Sequence, residues 1–196
     1  MADLAAADES LIERVTDRQI LYRGRYMTFE KDAIVLADGS TSSRDLVVHP
    51  GAVVIAPVDS EGRLLLVTQF RVAAGGALLE LPAGTLDVHE GVVEDRETAA
   101  RRELEEETGH RAGRLELMGG FWTAPGFSTE YLTLYLATEL RPAIEGRLAP
   151  DEDERLLLSR LHWRDAVAAI DAGLIEDAKS IAGILWVARI MEAKGV

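Results

Sequence analysis

The chain predicts a mixed α/β sandwich, and three observations carry that reading. Strands, one helix, more strands and then two helices follow one another without strict alternation. That order argues against a doubly wound parallel sheet and for helices covering a mixed sheet. A length of 196 residues suffices for one well-cored domain, or one domain with a small appendage. At 47% hydrophobic residues, the core can be sizeable.

The elements follow from local pattern. Residues 19–23 and 26–36 read as strands, and "ADGS" at 37–40 as a turn between extended segments. With the β-rich stretch 44–48 they form a small N-terminal antiparallel strand region, 1–48, ahead of a main domain at 49–196. "GAVVIAPV" (51–58), the turn "DSEG" (59–62) and "RLLLVTQFR" (63–71) read as a buried hairpin. "ALLELPAG" (77–84) reads as one further short strand. A helix is expected from Asp95, a good N-cap, to Thr108, with Gly109 at C′. Strands are expected near 114–122, 130–138 and 155–163, with an acidic surface loop at 141–154. "WRDAVAAIDAG" and "AKSIAGILWVARIMEA" carry the apolar spacing of two amphipathic helices.

Composition excludes several functions. The 34 acidic residues against 21 basic ones leave a net charge of -13, and no Lys/Arg-rich stretch offers a local exception. Nucleic acid and anionic membranes are therefore excluded as partners. A small anionic substrate stays open, provided metal ions and a few arginines screen it. The chain has no cysteine, which rules out disulfides, thiolate nucleophiles and Cys-ligated zinc. Its N-terminus is acidic and does not read as a signal peptide, and the longest apolar run, around "AVVIAPV", is too short to span a bilayer. The expected location is cytoplasmic.

"ARRELEEETGH" (100–110) concentrates the acid, with glutamates at 103, 105, 106 and 107. On a helix, Glu103, Glu106 and Glu107 share one face while Glu105 points elsewhere. A solvated helix face is the plain alternative. Yet Arg101 and Arg102 cannot pair closely with four carboxylates, and a hard divalent cation, which takes oxygen ligands and substrate phosphates, would supply the missing charge.

These residues resemble the Nudix hydrolases, whose motif is G-x5-E-x7-R-E-U-x-E-E-x-G-U, with U a bulky aliphatic residue. "RELEEETG" from Arg102 to Gly109 fits the second half position for position. In the first half, Gly84 and Glu90 keep the five-residue spacing, but eleven residues separate Glu90 from Arg102; alternatively Glu94 has the seven-residue spacing and Val88 falls on the glycine position. A four-residue insertion before the helix accounts for either. His110 replaces the final aliphatic residue. The flanks "VTQFR" and "LLELPAG", Pro125 sixteen positions beyond Gly109, "PDEDE" at 150–154 and "GLIEDAKSIAGIL" look like the ADP-ribose pyrophosphatase branch. The resemblance runs from about Tyr22 to Leu185.

The resemblance implies a Nudix-type α/β/α sandwich and Mg²⁺- or Mn²⁺-dependent hydrolysis of ADP-ribose to AMP and ribose 5-phosphate. The alternatives are a pyrophosphatase for another nucleotide sugar such as GDP-mannose, and a silent nucleotide-sensing module. Glu103 and Glu107 would bind metal directly, Glu106 would bridge a second ion and stand by as a base, and the Ala83 carbonyl would complete the sphere. Arg102 would orient the glutamates, and Glu90 or Glu94 would add an outer ligand or remain a solvated loop carboxylate. Glu152, on the acidic loop, would be the general base, with Glu154 approaching the metals. Arg71 would bind a substrate phosphate, Glu80 would hold the ribose or adenine side, and Phe127 would pack against a sugar or base. Trp122 would line the pocket, whereas Trp163 and Trp186 read as core. The N-terminal strands, which in that branch pack across a partner, imply a homodimer.

Overall fold

The computed structural model describes residues 9–144, 148 and 155–195. The chain divides into two units. One takes the described residues up to Pro50 together with Ala124–Glu130, and the other takes Gly51–Thr123 and the described residues from Tyr131 on.

The first unit is an antiparallel meander of β1 (Arg14–Arg23), β2 (Thr28–Val35) and β3 (Thr41–Val48). The turn between β2 and β3 is set by "ADGS": Gly39 adopts φ 83° and Asp38 Oδ1 accepts from the Ser40 amide at 2.9 Å. β2 alternates, burying Glu30, Asp32 and Ile34. Every residue of β1 is exposed, and its register slips between Val15 and Asp17 and again between Ile20 and Tyr22. Those slips erase the period of two, so sequence pattern catches only the apolar end of a strand that starts at Arg14. The segment from Ala124 to Glu130 joins this unit where Val47 N donates to Phe127 O at 2.7 Å.

The second unit is layered around β4 (Ala52–Pro57), every residue of which is buried. β4 sits inside a mixed four-stranded sheet, between β11 (Tyr131–Pro142), to which it is parallel, and the antiparallel β7 (Ala83–Thr85); β10 (His110–Trp122) completes the far side of β11. A strand buried on both faces reads as a continuous apolar run, as "AVVIA" does. Val53 and Ile55 pack toward Ala99, Ala100 and Leu104 of α1 (Arg96–Thr108). Ala52, Val54 and Ala56 pack in the opposite core with Ile184, Val187 and Ala188 of α3 (Ala178–Lys194), beside Trp163 and Ala166 of α2 (Trp163–Asp171). Helices therefore cover both faces, an α/β/α sandwich preceded by antiparallel strands. Trp163 is core and Trp186 packs against it.

A second sheet holds β5 (Arg63–Arg71) between β12 (Leu157–His162) and β6 (Gly76–Glu80). "LLELPAG" is thus two strands in two sheets, because Pro82 has no N–H for a ladder and the chain changes sheet there. Gly183 lets α3 come close at that crossing, since a Cβ there would lie 2.4 Å from Leu81 Cδ1.

Candidate active site

α1 starts and stops as its ends dictate. Asp95 Oδ1 accepts from Thr98 N at 2.9 Å, and Gly109, at φ 68°, closes the helix by donating to Glu105 O at 2.8 Å. Burying Ala99, Ala100 and Leu104 against β4 turns the flank carrying Glu103 and Glu107 toward β7. These two residues are only 8% and 7% exposed.

β7 is shaped to receive them. A Cβ on Gly84 would lie 1.9 Å from the Glu103 carboxyl carbon, so only glycine leaves room for that carboxylate. Next to it, Ala83 N donates to Glu107 Oε2 at 3.2 Å.

Arg102 ties the flank together. Its Nη1 donates to Glu103 Oε1 at 2.7 Å and to Glu106 Oε2 at 2.9 Å, while Nε and Nη2 reach the two oxygens of Glu94 at 3.2 and 2.9 Å. The bond from Arg102 holds the Glu94 carboxyl below its ordinary range. The same pairing, led by Glu94, raises the Arg102 guanidinium above its own.

The first half of the motif is now placed. Gly84 seats Glu103, Glu94 reaches Arg102, and the insertion lies between them as a hairpin of β8 (Val88–His89) and β9 (Val92–Val93). Glu90 and Gly91 form its tip at φ 53° and 82°, the left-handed pair that two-residue hairpin loops require. The motif in this chain is therefore G-x9-E-x7-R-E, with the four extra residues extruded as a hairpin. Glu90 is exposed at the tip, and Glu94 is the carboxylate that joins the cluster.

Counter-charge is also distributed differently from the sequence expectation. One arginine, Arg102, serves three glutamates, Arg111 takes Glu105 in a fork at 2.7 Å for both bonds, and Arg101 pairs with Glu97. The flank groups four carboxylates, with Glu94, Glu103 and Glu106 on the Arg102 guanidinium and Glu107 beside them. Among the described residues, no three His, Asp or Glu side chains converge into a ready-made cation cage. The donor set nonetheless fits a hard dication: buried carboxylates, a seat kept open by glycine, and the adjacent Ala83 main chain, all oxygen donors.

A second charged cluster lies at the start of α3. Arg71 Nε and Nη2 fork onto Glu80 at 2.8 and 2.7 Å, and Lys179 Nζ bonds both Glu80 and Asp177. Asp177 caps α3 by accepting from Ser180 N at 3.0 Å, and Ser180 Oγ accepts from Leu81 N at 2.7 Å. Burial pushes the Glu80 and Asp177 carboxyls up. The Arg71 fork and Lys179 outweigh it at Glu80, and Lys179 with Ser180 outweighs it at Asp177, so both stay below the ordinary carboxylate range. Glu80 is 1% exposed with both oxygens engaged. It holds Arg71 and Lys179. Arg71, more exposed, also feels the charge of Glu107.

Lys179, Asp177 and Ser180 were not singled out by sequence reasoning. One signal was available: a lysine in the first turn of a helix opposes the macrodipole and needs an acidic neighbour. Phe127 lies in the first unit as an exposed ring. Trp122 is exposed and meets Tyr131 edge-on at 5.1 Å. Glu152 and Glu154 fall outside the described residues.

Residues 48–182 match the NUDIX domain family, and the chain belongs to it: this is a Nudix hydrolase. It is 34% identical over 178 residues to the ADP-ribose pyrophosphatase of Bacillus subtilis (strain 168), covering 91% of this chain and 94% of that protein. It is 33% identical over 174 residues to the methanol dehydrogenase activator of Bacillus methanolicus, covering 89% and 91%. A solved structure described as an ADP compounds hydrolase shares the fold, with a TM-score of 0.80 at 22% identity over 96% of this chain and 99% of that one. Nudix hydrolases generally use divalent metal ions.

Gly84→Ala should separate site from scaffold. The new methyl group meets the far end of a flexible side chain, and Gly84 needs no left-handed backbone, so the fold survives. The melting temperature should move by only a few degrees, as for a change of about 1 kcal/mol. Displacement of the Glu103 carboxylate should cut turnover by about tenfold or more, on the scale of a misplaced catalytic group. Wild-type turnover in Gly84→Ala would show that the Glu103 seat is not used.

Proposed function

We propose that the protein hydrolyses the diphosphate bond of ADP-ribose, adding water to give AMP and ribose 5-phosphate, with Mg²⁺ or Mn²⁺ as cofactor. The observation that carries this is the Arg102-centred flank of Glu94, Glu103, Glu106 and Glu107 seated against Gly84. The similarity to an ADP-ribose pyrophosphatase along nearly the whole chain supports it.

Glu103, Glu106, Glu107 and the Ala83 carbonyl would hold the ion. When bound, it neutralises diphosphate charge and makes a bound water more acidic. Arg102 keeps the carboxylates aligned, so that little reorganisation is needed when substrate arrives. Arg71, fixed by the Glu80 fork, binds a substrate phosphate, with Lys179 adding positive charge behind it. Glu152 takes the proton of the attacking water, and Glu154 adds a further carboxylate to the metal set.

The test is a product screen over ADP-ribose, GDP-mannose and other nucleotide sugars, with and without chelator. ADP-ribose should be cleaved to AMP and ribose 5-phosphate, activity should vanish with chelator, and it should return with Mg²⁺ or Mn²⁺. Preference for GDP-mannose would redirect the substrate. Tight binding of one nucleotide with no turnover across the panel would identify a sensor instead, and turnover unchanged in excess chelator would sink the metal mechanism.

Two further proposals concern its setting. No helix among the described residues is long and apolar enough to cross a membrane, and we place the enzyme in the cytoplasm. The exposed β1, with Val15, Ile20, Leu21 and Tyr22 uncovered, is an edge that a second copy would shield. Sedimentation should therefore report a homodimer; the mass of a single 21.4 kDa chain would refute it.

A further inference from the structure

The hairpin inserted between Gly84 and Glu94 is closed at its base by Asp87 and Glu94. Glu94 N donates to Asp87 O at 2.8 Å, and Glu94 Oε2 accepts from Asp87 N at 3.2 Å while also taking Arg102 Nη2. Beyond that closing pair, β8 and β9 carry Val88, Val92 and Val93, all exposed and part of neither core cluster. Val93 and Glu94 border a cavity of about 580 Å³, which Leu86, Leu117, Tyr131 and Tyr135 also line. That volume lies in the range of small-molecule sites.

Tyr131, Thr133 and Tyr135 alternate along β11 and so share one face, on which Tyr135 packs in the cluster of Ala99 and Leu104 of α1. Gly120 of β10 leaves room beside them, since a Cβ there would lie 2.6 Å from the Tyr131 hydroxyl. Tyr135 and Thr133 are both more than nine-tenths buried. The Thr133 hydroxyl has no hydrogen-bond partner, and among the described residues the Tyr135 hydroxyl has none either. Buried hydroxyls left unpaired cost free energy, which a bound group with hydroxyls of its own would recover. Charge at the rim narrows the choice of ligand. Glu94 is held by Arg102 and Asp95 by the first turn of α1, so neither calls for a cation. Together they outnumber Arg96 at the rim, which disfavours a phosphate inside. The cavity therefore suits an uncharged ring that bears hydroxyls on its edge and offers an apolar face to Leu86, Val93 and Leu117.

We propose that this cavity is the subsite for the sugar beyond the diphosphate, with the inserted hairpin as its outer wall and the Tyr135 hydroxyl as a hydrogen-bonding group. This rests on the reading of the protein as a nucleotide-sugar hydrolase. Glu94 belongs both to the Arg102 cluster and to the cavity lining, so the cavity adjoins the carboxylate flank. A sugar fits the lining better than a purine does, because a flat base favours aromatic walls on both faces, and here the aromatic residues come from β11 alone. The motif's own five-residue spacing leaves no length for such a wall, which makes the hairpin a specificity element peculiar to chains that carry the insertion.

The hairpin can be shortened without losing its turn. Deleting Val88, His89, Val92 and Val93 leaves Glu90 and Gly91 as the tip on the hydrogen-bonded pair Asp87 and Glu94, and restores the five-residue spacing from Gly84 to Glu94. Hydrogen-bonded pairs alternate along an antiparallel ladder, so removing two pairs keeps the alternation. In the shortened chain KM for ADP-ribose should rise about tenfold with kcat within about twofold, the pattern of lost binding. Tyr135→Phe removes a hydroxyl that holds nothing in the free protein, so its melting temperature should stay within about 2 °C of wild type. Its KM should nevertheless rise about three- to tenfold, the size of one hydrogen bond. A purely structural tyrosine would not divide those two readouts. The second arm is calorimetry on the full chain with Mg²⁺ present. Binding of ribose 5-phosphate should weaken in both variants by the same factors, while AMP binding stays unchanged. Weakened AMP with ribose 5-phosphate unaffected would put the base in the cavity and overturn the sugar assignment. Wild-type binding of both in the two variants, or no ribose 5-phosphate binding to the wild type, overturns the subsite itself. If the wild type cleaves no nucleotide sugar, the hydrolase reading fails, while the ribose 5-phosphate arm still decides the cavity. Should the shortened chain not fold, Tyr135→Phe carries both arms.

Discussion

Glu107→Gln should lower kcat for ADP-ribose by about 10²-fold or more while the chain keeps its fold, since metal polarisation contributes several kcal/mol and each 1.36 kcal/mol is tenfold. The amide has the shape of the carboxylate, and its carbonyl oxygen can still accept from Ala83 N, now at 3.2 Å from Glu107. What disappears is one negative charge on a flank where Glu103, Glu106 and Glu107 stand three and four residues apart. Like charges so placed destabilise a helix by a few tenths of a kcal/mol per pair, so the melting temperature should stay level or rise. Turnover at saturating Mg²⁺ and a thermal melt, measured together, make the check. A kcat within about threefold of wild type would remove Glu107 from the ligand set.

Glu152→Gln and Glu103→Gln should both lose activity, but through different quantities. General-base catalysis contributes about 10² to 10⁴-fold, and that is the loss expected in kcat for Glu152→Gln, with metal and substrate affinity nearly intact. In the proposed ligand set Glu103→Gln would weaken a direct ligand seated against Gly84, so its defect should shrink as Mg²⁺ is raised. The Glu152 defect should not respond to metal. A titration of kcat against Mg²⁺ for the two variants separates them. A change below about threefold for Glu152→Gln would pass the base role to Glu154 or to Glu106.

Much of the site was legible because its chemistry is local. A helix whose cap is Asp95, whose stop is Gly109 and whose glutamates recur at three and four residues can be read without knowing what it packs against. The insertion was legible as a length and not as a place. Spacing alone left Glu90 and Glu94 as rivals, since it fixes how many residues intervene and not which of them leave the motif's path. The hairpin settled the matter by pairing Val88 with Val93, which extrudes Glu90 and brings Glu94 to Arg102. "LLELPAG" was misread as one strand for a related reason: a change of sheet at Pro82 depends on which partners stand on either side.

By itself the sequence determined the α/β class, the burial of the strand "AVVIA", the carboxylate-bearing helix and the family. Each of these rests on periodicity, capping or a motif contained within a few turns of chain. Only the tertiary structure decided which charges meet. Arg102 reaches back eight residues to Glu94, Lys179 finds Glu80 ninety-nine residues away, and Arg111 with Leu148 encloses Glu105. Ion pairs in a folded chain are chosen by where packing leaves buried carboxylates in need of partners. That choice is made by the sheet between the helices, and no spacing along the chain encodes it.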